Sequence, residues 1–93
     1  MLPKTINICG VPHKVELCDD NFNYDSHMGQ IDYTTCHIRI NKEMPEEMQQ
    51  MTLIHEWVHG ALVMTGFTDE TRDEHFVQAI ANAIYQTFEL KKG

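Results

Sequence analysis

The sequence has few basic residues, few cysteines and no long apolar run. Lys and Arg together number 7 against 14 Asp and Glu, and the formal net charge is -7. Nucleic acids and anionic membrane surfaces are therefore not expected as partners, because phosphate binding requires clustered cations. No stretch approaches the roughly 18 consecutive apolar residues of a membrane-spanning helix, so no membrane span is expected.

The cysteines, Cys9, Cys18 and Cys36, are odd in number and form no CxxC pair. The N-terminus also lacks the apolar core of a secretion signal. Reduced thiols in a cytoplasmic protein are therefore expected, each behaving as a small buried apolar residue. Hydrophobic residues make up 42% of the chain, which is sufficient for a core. Residues 1–93 are expected to form a single domain.

Alternating polar and apolar residues in the first half of the chain predict a small β-sheet. Residues 5–17 contain two alternating segments around a glycine turn, which predicts a hairpin. Residues 29–33 and 36–40 predict a second hairpin, in which Tyr33 faces the core. The polar segment 19–27 between the two hairpins is predicted to be a loop.

The second half of the chain predicts two helices. Pro45 suits the first turn of a helix, and the run from Glu46 to about Thr65 is apolar nearly all round, which is typical of a buried central helix. The methionines are expected to fill the core around it. A second helix is predicted to start after Asp69 and to run to about Leu90. The predicted fold class is α+β, with a three- to four-stranded, mostly antiparallel sheet packed on the two helices.

The predicted central helix contains an HExxH motif, formed by His55, Glu56 and His59. Histidines four residues apart on a helix project from one face, so two imidazoles can bind one zinc ion. Glu56 is rotated by about 100° from His55, where a carboxylate can reach a metal-bound water. Two buried histidines could instead be hydrogen-bonded core residues, but metal ligation accounts for both of them and for the acid together.

A hydrolytic zinc site needs a third protein ligand and one open position. The longer pattern HExxHxxGxxH fails here, because Leu62 and Thr65 occupy its glycine and third histidine positions. The second helix offers Asp73, Glu74 and His75. On a helical wheel Glu74 lies at the border of the apolar stripe and His75 faces away from it, so Glu74 is the predicted ligand. Asp73 and His75 remain the alternatives.

Glu74 also has a structural interpretation. Residues Thr71 to Glu74 fit a capping box, in which the Glu74 carboxylate would accept a hydrogen bond from the Thr71 backbone N–H. The ligand interpretation is favoured, because two histidines without a carboxylate are incomplete for hydrolytic zinc.

In these features the chain resembles the gluzincin metallopeptidases, in which HExxH and a Glu on a following helix hold zinc. It is most similar to the small phage- and bacterium-borne proteins of the ImmA/IrrE-like or minigluzincin type. The resembling segments are residues 29–33, 38–41, 52–59 and 74–82. The resemblance implies that His55, His59 and Glu74 bind Zn²⁺. It also implies that Glu56 is the general base in hydrolysis of a peptide bond through a zinc-bound water.

The resemblance further implies a peptide or protein substrate that pairs with an edge strand, for which Cys36 to Ile40 is the expected strand. It leaves the residue that stabilises the oxyanion unassigned, with Tyr85 and His75 as candidates. Gln78 stands where larger gluzincins often have an Asp that supports the first histidine. An amide can accept the imidazole N–H but does not raise its basicity as a carboxylate does.

The alternative function is a non-catalytic or regulatory zinc-binding module, such as a phage accessory protein, that retains the peptidase fold. Gln78 and the short chain motivate this alternative.

Overall fold

The computed structural model describes residues 2–19 and 28–90 of the chain. The predicted loop at 19–27 therefore lies, apart from its first residue, outside the described residues. Within them the chain forms four strands, two α-helices and one short 3-10 helix. In chain order these are β1 Thr5–Ile8, β2 Val11–Cys18, β3 Gly29–Asp32, β4 His37–Asn41, α1 Glu46–Met64, the 3-10 helix Glu70–Arg72 and α2 Glu74–Thr87.

The strands form one mixed sheet in the order β1-β2-β4-β3. Both predicted hairpins are present, since β1 pairs antiparallel with β2 and β3 pairs antiparallel with β4. The pairing between β2 and β4 is parallel. β4 is therefore an inner strand, and the expectation that Cys36 to Ile40 lies at the sheet edge is wrong. Its Ile38 and Ile40 side chains are fully buried, as is usual in a central strand.

The turn between β1 and β2 consists of Cys9 and Gly10, which both have positive φ angles, of 51° and 84°. Two such residues are typical of a type I′ hairpin turn. Cys9 is exposed there, so the expectation of a buried side chain is wrong for this residue. Cys18 and Cys36 are partly buried, and all three cysteines are free thiols.

Helix α1 lies between the sheet and α2, as its apolar pattern predicted. On one side Leu53 packs in a sheet cluster, which consists of Ile8, Ile38, Ile40 and Leu53. On the other side the next residue, Ile54, packs in a helix cluster, which consists of Ile54, Val58, Val77 and Ala81. Neighbouring helical residues point about 100° apart, so α1 supplies both clusters at once. In the part of the chain that the structure describes, no helix is long and apolar enough to cross a membrane.

Two glycines allow α1 to lie unusually close to the sheet. A Cβ atom at Gly29 in β3 would be 2.7 Å from Thr52 Cγ2 and 3.0 Å from the Arg39 carbonyl oxygen. A Cβ atom at Gly60 in α1 would be 2.7 Å from Ile8 Cδ1. Neither position has room for a larger side chain, and the close approach brings the HExxH turn of α1 beside β3.

The segment predicted as one helix from Asp69 to Leu90 is divided. After the 3-10 helix, the Asp73 side chain accepts a hydrogen bond from the Phe76 backbone N–H and is the N-cap of α2. The capping box with Thr71 as the cap is therefore wrong. Glu74 is the first residue of α2, so its side chain projects at the helix terminus nearest the HExxH turn.

Candidate metal centre

Three of the predicted site residues converge where α1 meets the start of α2. His55, His59 and Glu74 each contribute one potential ligand atom, and these atoms lie within 4.8 Å of one another. The two Nε2 atoms are 3.2 Å apart. Glu74 Oε1 lies 2.9 Å from His55 Nε2, and Glu74 Oε2 lies 3.3 Å from His59 Nε2. The histidine spacing on α1 and the terminal position of Glu74 on α2 together produce this group.

The spacing of these atoms fits a tetrahedral metal site. Zinc binds imidazole nitrogen and carboxylate oxygen at about 2.0–2.2 Å, which places neighbouring ligand atoms of a tetrahedron roughly 3.3–3.5 Å apart. The 3.2 Å between the two imidazole nitrogens is close to this value. The two oxygens of Glu74 lie 2.9 Å from His55 Nε2 and 3.3 Å from His59 Nε2, so either oxygen is near the site as the third ligand atom. Two imidazoles and one carboxylate leave a fourth position open, as catalytic zinc requires.

The outer nitrogen of each imidazole has a hydrogen-bond partner. His55 Nδ1 lies 2.8 Å from Gln78 Oε1 and His59 Nδ1 lies 2.7 Å from Thr71 Oγ1. The Gln78 amide nitrogen in turn donates to Asn82 Oδ1 at 2.8 Å, which holds its oxygen toward His55. An amide oxygen only accepts, so His55 carries its proton on Nδ1 and presents the Nε2 lone pair inward. The Thr71 hydroxyl can accept from His59 in the same way.

With the imidazole protons on the outer nitrogens, the inward-facing atoms are all acceptors. Burial lowers the pKa of His59, against the opposing influence of the Glu74 carboxylate, and this favours a neutral imidazole. Two imidazole lone pairs and a carboxylate in such proximity repel one another unless a cation lies between them. The chemistry of the donor set thus fits a bound metal ion.

Glu56 lies beside this group, where the motif predicts a general base. Its side chain is buried, with 6% exposure. Burial raises the pKa of Glu56 to about 7, and the charge of Glu74 adds to the effect. A cation held by the neighbouring residues would lower that pKa again, because it stabilises the carboxylate. Burial and a bound cation thus act on the Glu56 carboxyl group in opposite directions, and its place beside the ligand group suits it to proton transfer.

Two cavities flank the group, and His55, Glu56 and Glu74 line both of them. The first, the methionine cavity, has a volume of about 570 Å³, and its further lining residues are Met28, Met48, Met51, Thr52, His75 and Gln78. The second, the β3 cavity, has a volume of about 540 Å³, and its further lining residues are Gly29, Gln30, Ile31, Tyr33 and His59. The candidate centre is thus accessible from two sides of different composition.

The other residues considered from the sequence lie elsewhere. The Asp73 carboxylate caps α2 through a 3.1 Å hydrogen bond from Phe76, and His75 lines the methionine cavity. Within residues 2–19 and 28–90, the three-residue group contains neither of them. Tyr85 packs against the helix cluster as a partly buried core residue.

Tyr33 is a site residue that the sequence reasoning missed. It was expected to face the core at the end of a strand, but β3 ends at Asp32 and Tyr33 is 44% exposed beside the β3 cavity. Partial burial raises the pKa of Tyr33, and the charges of Glu56 and Glu74 raise it further. The phenol therefore keeps its proton at neutral pH and can donate a hydrogen bond into the cavity.

The chain matches no protein-family model, no curated protein and no solved structure. Its function is therefore inferred from the residues of the candidate centre and from their geometry.

Proposed function

We propose that this chain is a zinc-dependent metallopeptidase of the gluzincin type that acts on a peptide or protein substrate. One observation carries the proposal. The Nε2 atoms of His55 and His59 converge with the Glu74 carboxylate, and the buried Glu56 lies beside them. A small mixed sheet, with α1 packed on it and α2 packed on α1, is compatible with a minimal zincin-like domain of the ImmA/IrrE-like or minigluzincin type.

His55, His59 and Glu74 would hold the zinc ion. The chemistry that such an ion supplies when bound is Lewis acidity, which acidifies a water and polarises a carbonyl oxygen. Gln78 Oε1 keeps the His55 proton on Nδ1, and the Thr71 hydroxyl can accept the His59 Nδ1 proton, so that the Nε2 lone pairs are directed inward. The ligand side chains are thus oriented before any ligand binds, which reduces the entropic cost of assembling the site.

Glu56 is the general base and then the general acid of the proposed reaction. Its carboxylate accepts a proton from the attacking water and later delivers it to the leaving amine. Burial favours the protonated carboxyl form between these two steps. In the β3 cavity, which Glu56 also lines, the Tyr33 phenol is available to donate to the carbonyl oxygen as negative charge develops on it.

The β3 strand offers a place for an extended substrate. In the described part of the sheet, β3 has a neighbouring strand on one side only, and Gly29, Gln30 and Ile31 line the β3 cavity. An extended peptide that pairs with the outer edge of β3 would pass beside the candidate metal centre. Substrate pairing is therefore proposed for β3 in place of β4.

The hydrogen bond between His55 and Gln78 supports a second candidate, which is a zinc-binding module without turnover. An amide acceptor raises the basicity of an imidazole less than a carboxylate does. The Glu56→Gln variant discriminates between the two functions. If the chain is a peptidase, the native protein cleaves an unstructured test protein such as casein, and the Glu56→Gln variant retains zinc but does not cleave it. If the chain is a binding module, the native protein does not cleave casein either.

Elemental analysis of the purified protein tests the ligand set. We expect stoichiometric zinc in the native chain and in a Glu70→Ala control, which changes an exposed acid in the neighbouring 3-10 helix. We expect zinc to be lost from His55→Ala and from Glu74→Ala. Undiminished zinc in Glu74→Ala would contradict the assignment of that ligand, and iron in place of zinc would contradict the proposed chemistry.

A further inference from the structure

The face of α1 that carries His55 continues toward the start of the helix with apolar side chains. Met48, Met51 and Thr52 precede His55 by seven, four and three residues, so the four side chains lie along one side of the helix. Met28, which directly precedes β3, faces them across the methionine cavity. This cavity therefore begins at the candidate metal centre and extends along the first turns of α1, between Met28 and the start of α2.

Two methionines of this cavity, Met28 and Met48, are not core residues, although the sequence favoured that interpretation. The third, Met51, is partly buried and also packs against the helix cluster. Met28 is 45% exposed and Met48 is 43% exposed. By contrast, Met44 packs against the sheet cluster. Exposed apolar side chains that are gathered in one cavity usually mark a binding surface. Methionine is well suited to such a surface, because its flexible thioether adapts to apolar groups of different shape.

The two cavities differ in chemistry although they share the candidate centre. The β3 cavity is lined by strand residues and by the polar side chains of Gln30 and Tyr33. The methionine cavity has three thioethers, and the charged residues that it contains are those nearest the centre. Its volume of about 570 Å³ lies within the range of about 300–1,000 Å³ that is common for ligand pockets.

We propose that the methionine cavity binds an apolar side chain of the substrate on one side of the scissile bond. The inference rests on the proposed peptidase function and names its substrate class, which is peptides with Leu, Met or Phe at that position. A polar or acidic residue would lose its hydration against the thioethers and, if acidic, would also meet the carboxylates of Glu56 and Glu74. Specificity is therefore expected on one side of the cleaved bond only.

Binding is measured independently of cleavage by NMR of the full, zinc-loaded chain with the Glu56→Gln substitution, labelled with ¹³C at the methionine methyl groups. The probes are the blocked peptides acetyl-Ala-Leu-Ala-amide and acetyl-Ala-Asn-Ala-amide, which differ in polarity at nearly equal size. We expect the leucine peptide to shift the signals of Met28, Met48 and Met51, while Met44 and Met64 remain unchanged. Equal shifts with the asparagine peptide, or none in the cavity methionines, would overturn the proposal.

Cleavage provides the second readout. Met48→Gln replaces an exposed thioether at nearly constant length, and Met64→Gln makes the same change at a residue of similar exposure, 41%, at the other end of α1. We expect Met48→Gln to lower kcat/KM for peptides with an apolar residue by about tenfold, and Met64→Gln to leave it unchanged. Zinc content should be the same in both variants.

The two proposals fail in different ways. If the native chain cleaves peptides but shows no apolar preference on either side of the cut, the proposed function survives and the inferred pocket does not. If the chain cleaves nothing while the leucine peptide still shifts the cavity methionines, the pocket survives as a binding site and the peptidase function fails.

Discussion

At the scale of single residues, the outer hydrogen bonds determine what the two histidines can bind. His55 and His59 are mostly buried, with side-chain exposures of 17% and 13%. A buried imidazole needs a partner for its N–H, and here that partner is Gln78 or Thr71. Each Nε2 lone pair therefore points toward the other ligand atoms, where only a proton or a metal ion can bind to it.

Gln78 is the residue through which zinc affinity can be adjusted. Replacement by leucine removes the acceptor for His55 Nδ1–H, and changes to such outer partners typically weaken metal binding by about 10–100-fold. Gln78→Glu supplies a carboxylate acceptor, so we expect zinc to bind more tightly than in the native chain. Competition with a chromophoric chelator measures both changes.

A matched control separates this local effect from a general charge effect. Gln86→Glu makes the same chemical change at an exposed position of α2. If Gln78→Glu binds zinc no more tightly than Gln86→Glu, the hydrogen bond to His55 does not control affinity.

At the scale of elements, the close contact between β3 and α1 aligns the edge strand with the candidate centre. Gly29→Ala would place a methyl group 2.7 Å from Thr52 Cγ2 and 3.0 Å from the Arg39 carbonyl oxygen. We expect this overpacking to lower the free energy of unfolding by about 1–3 kcal/mol, measured by urea denaturation.

Thr52→Ser provides the control, because it removes the Cγ2 atom with which the new methyl group collides. In the Gly29→Ala, Thr52→Ser double variant we expect partial recovery of stability, since the contact with the Arg39 backbone remains. If the change in the free energy of unfolding of the double variant equals the sum of the changes in the two single variants, the proposed contact between β3 and α1 is contradicted.

The elements also differ in how far the sequence could predict them. The HExxH geometry depends only on residues within one helical turn, so the sequence was sufficient to bring His55 and His59 together. The parallel pairing of β2 with β4 joins segments that are distant in sequence, and alternation within each strand says nothing about its neighbours. The sequence therefore predicted an edge position for β4, whereas β1 and β3 are the edge strands of the described sheet.

Tyr33 differs from the sequence prediction for a local reason. Alternation continued through residue 33, but the Asp32 side chain accepts hydrogen bonds from the backbone N–H groups of Thr34 and Thr35. Such a turn ends the strand, because it offers the backbone an alternative to the sheet. Cys36, with a φ of 56°, then reverses the chain. Tyr33 consequently lies beside the β3 cavity, outside the sheet.

At the scale of the whole molecule, the candidate centre adds a second connection between α1 and α2, which otherwise contact each other through their apolar packing. α2 packs on α1 and on the 3-10 helix, while the sheet packs on the other side of α1. The ligand group adds a connection from α1 to the first residue of α2. Without a cation, the carboxylates of Glu56 and Glu74 repel each other in a chain whose formal net charge is already -7.

Removal of the metal should therefore loosen α2 before it affects the sheet. A ligand that binds only the folded state stabilises it by about 4 kcal/mol when present at about 1,000 times its Kd. For a domain of this size, we expect a chelator to lower Tm by more than about 10 °C. In amide hydrogen exchange, protection should fall most in α2 and least in β2 and β4, which pair with each other in the middle of the sheet.

The Glu74→Ala variant serves as the control, because the chelator should leave its Tm unchanged. Equal loss of protection in α2 and the sheet would instead mean that the ion supports the whole core, and an unchanged native Tm would show that no ion contributes to the fold.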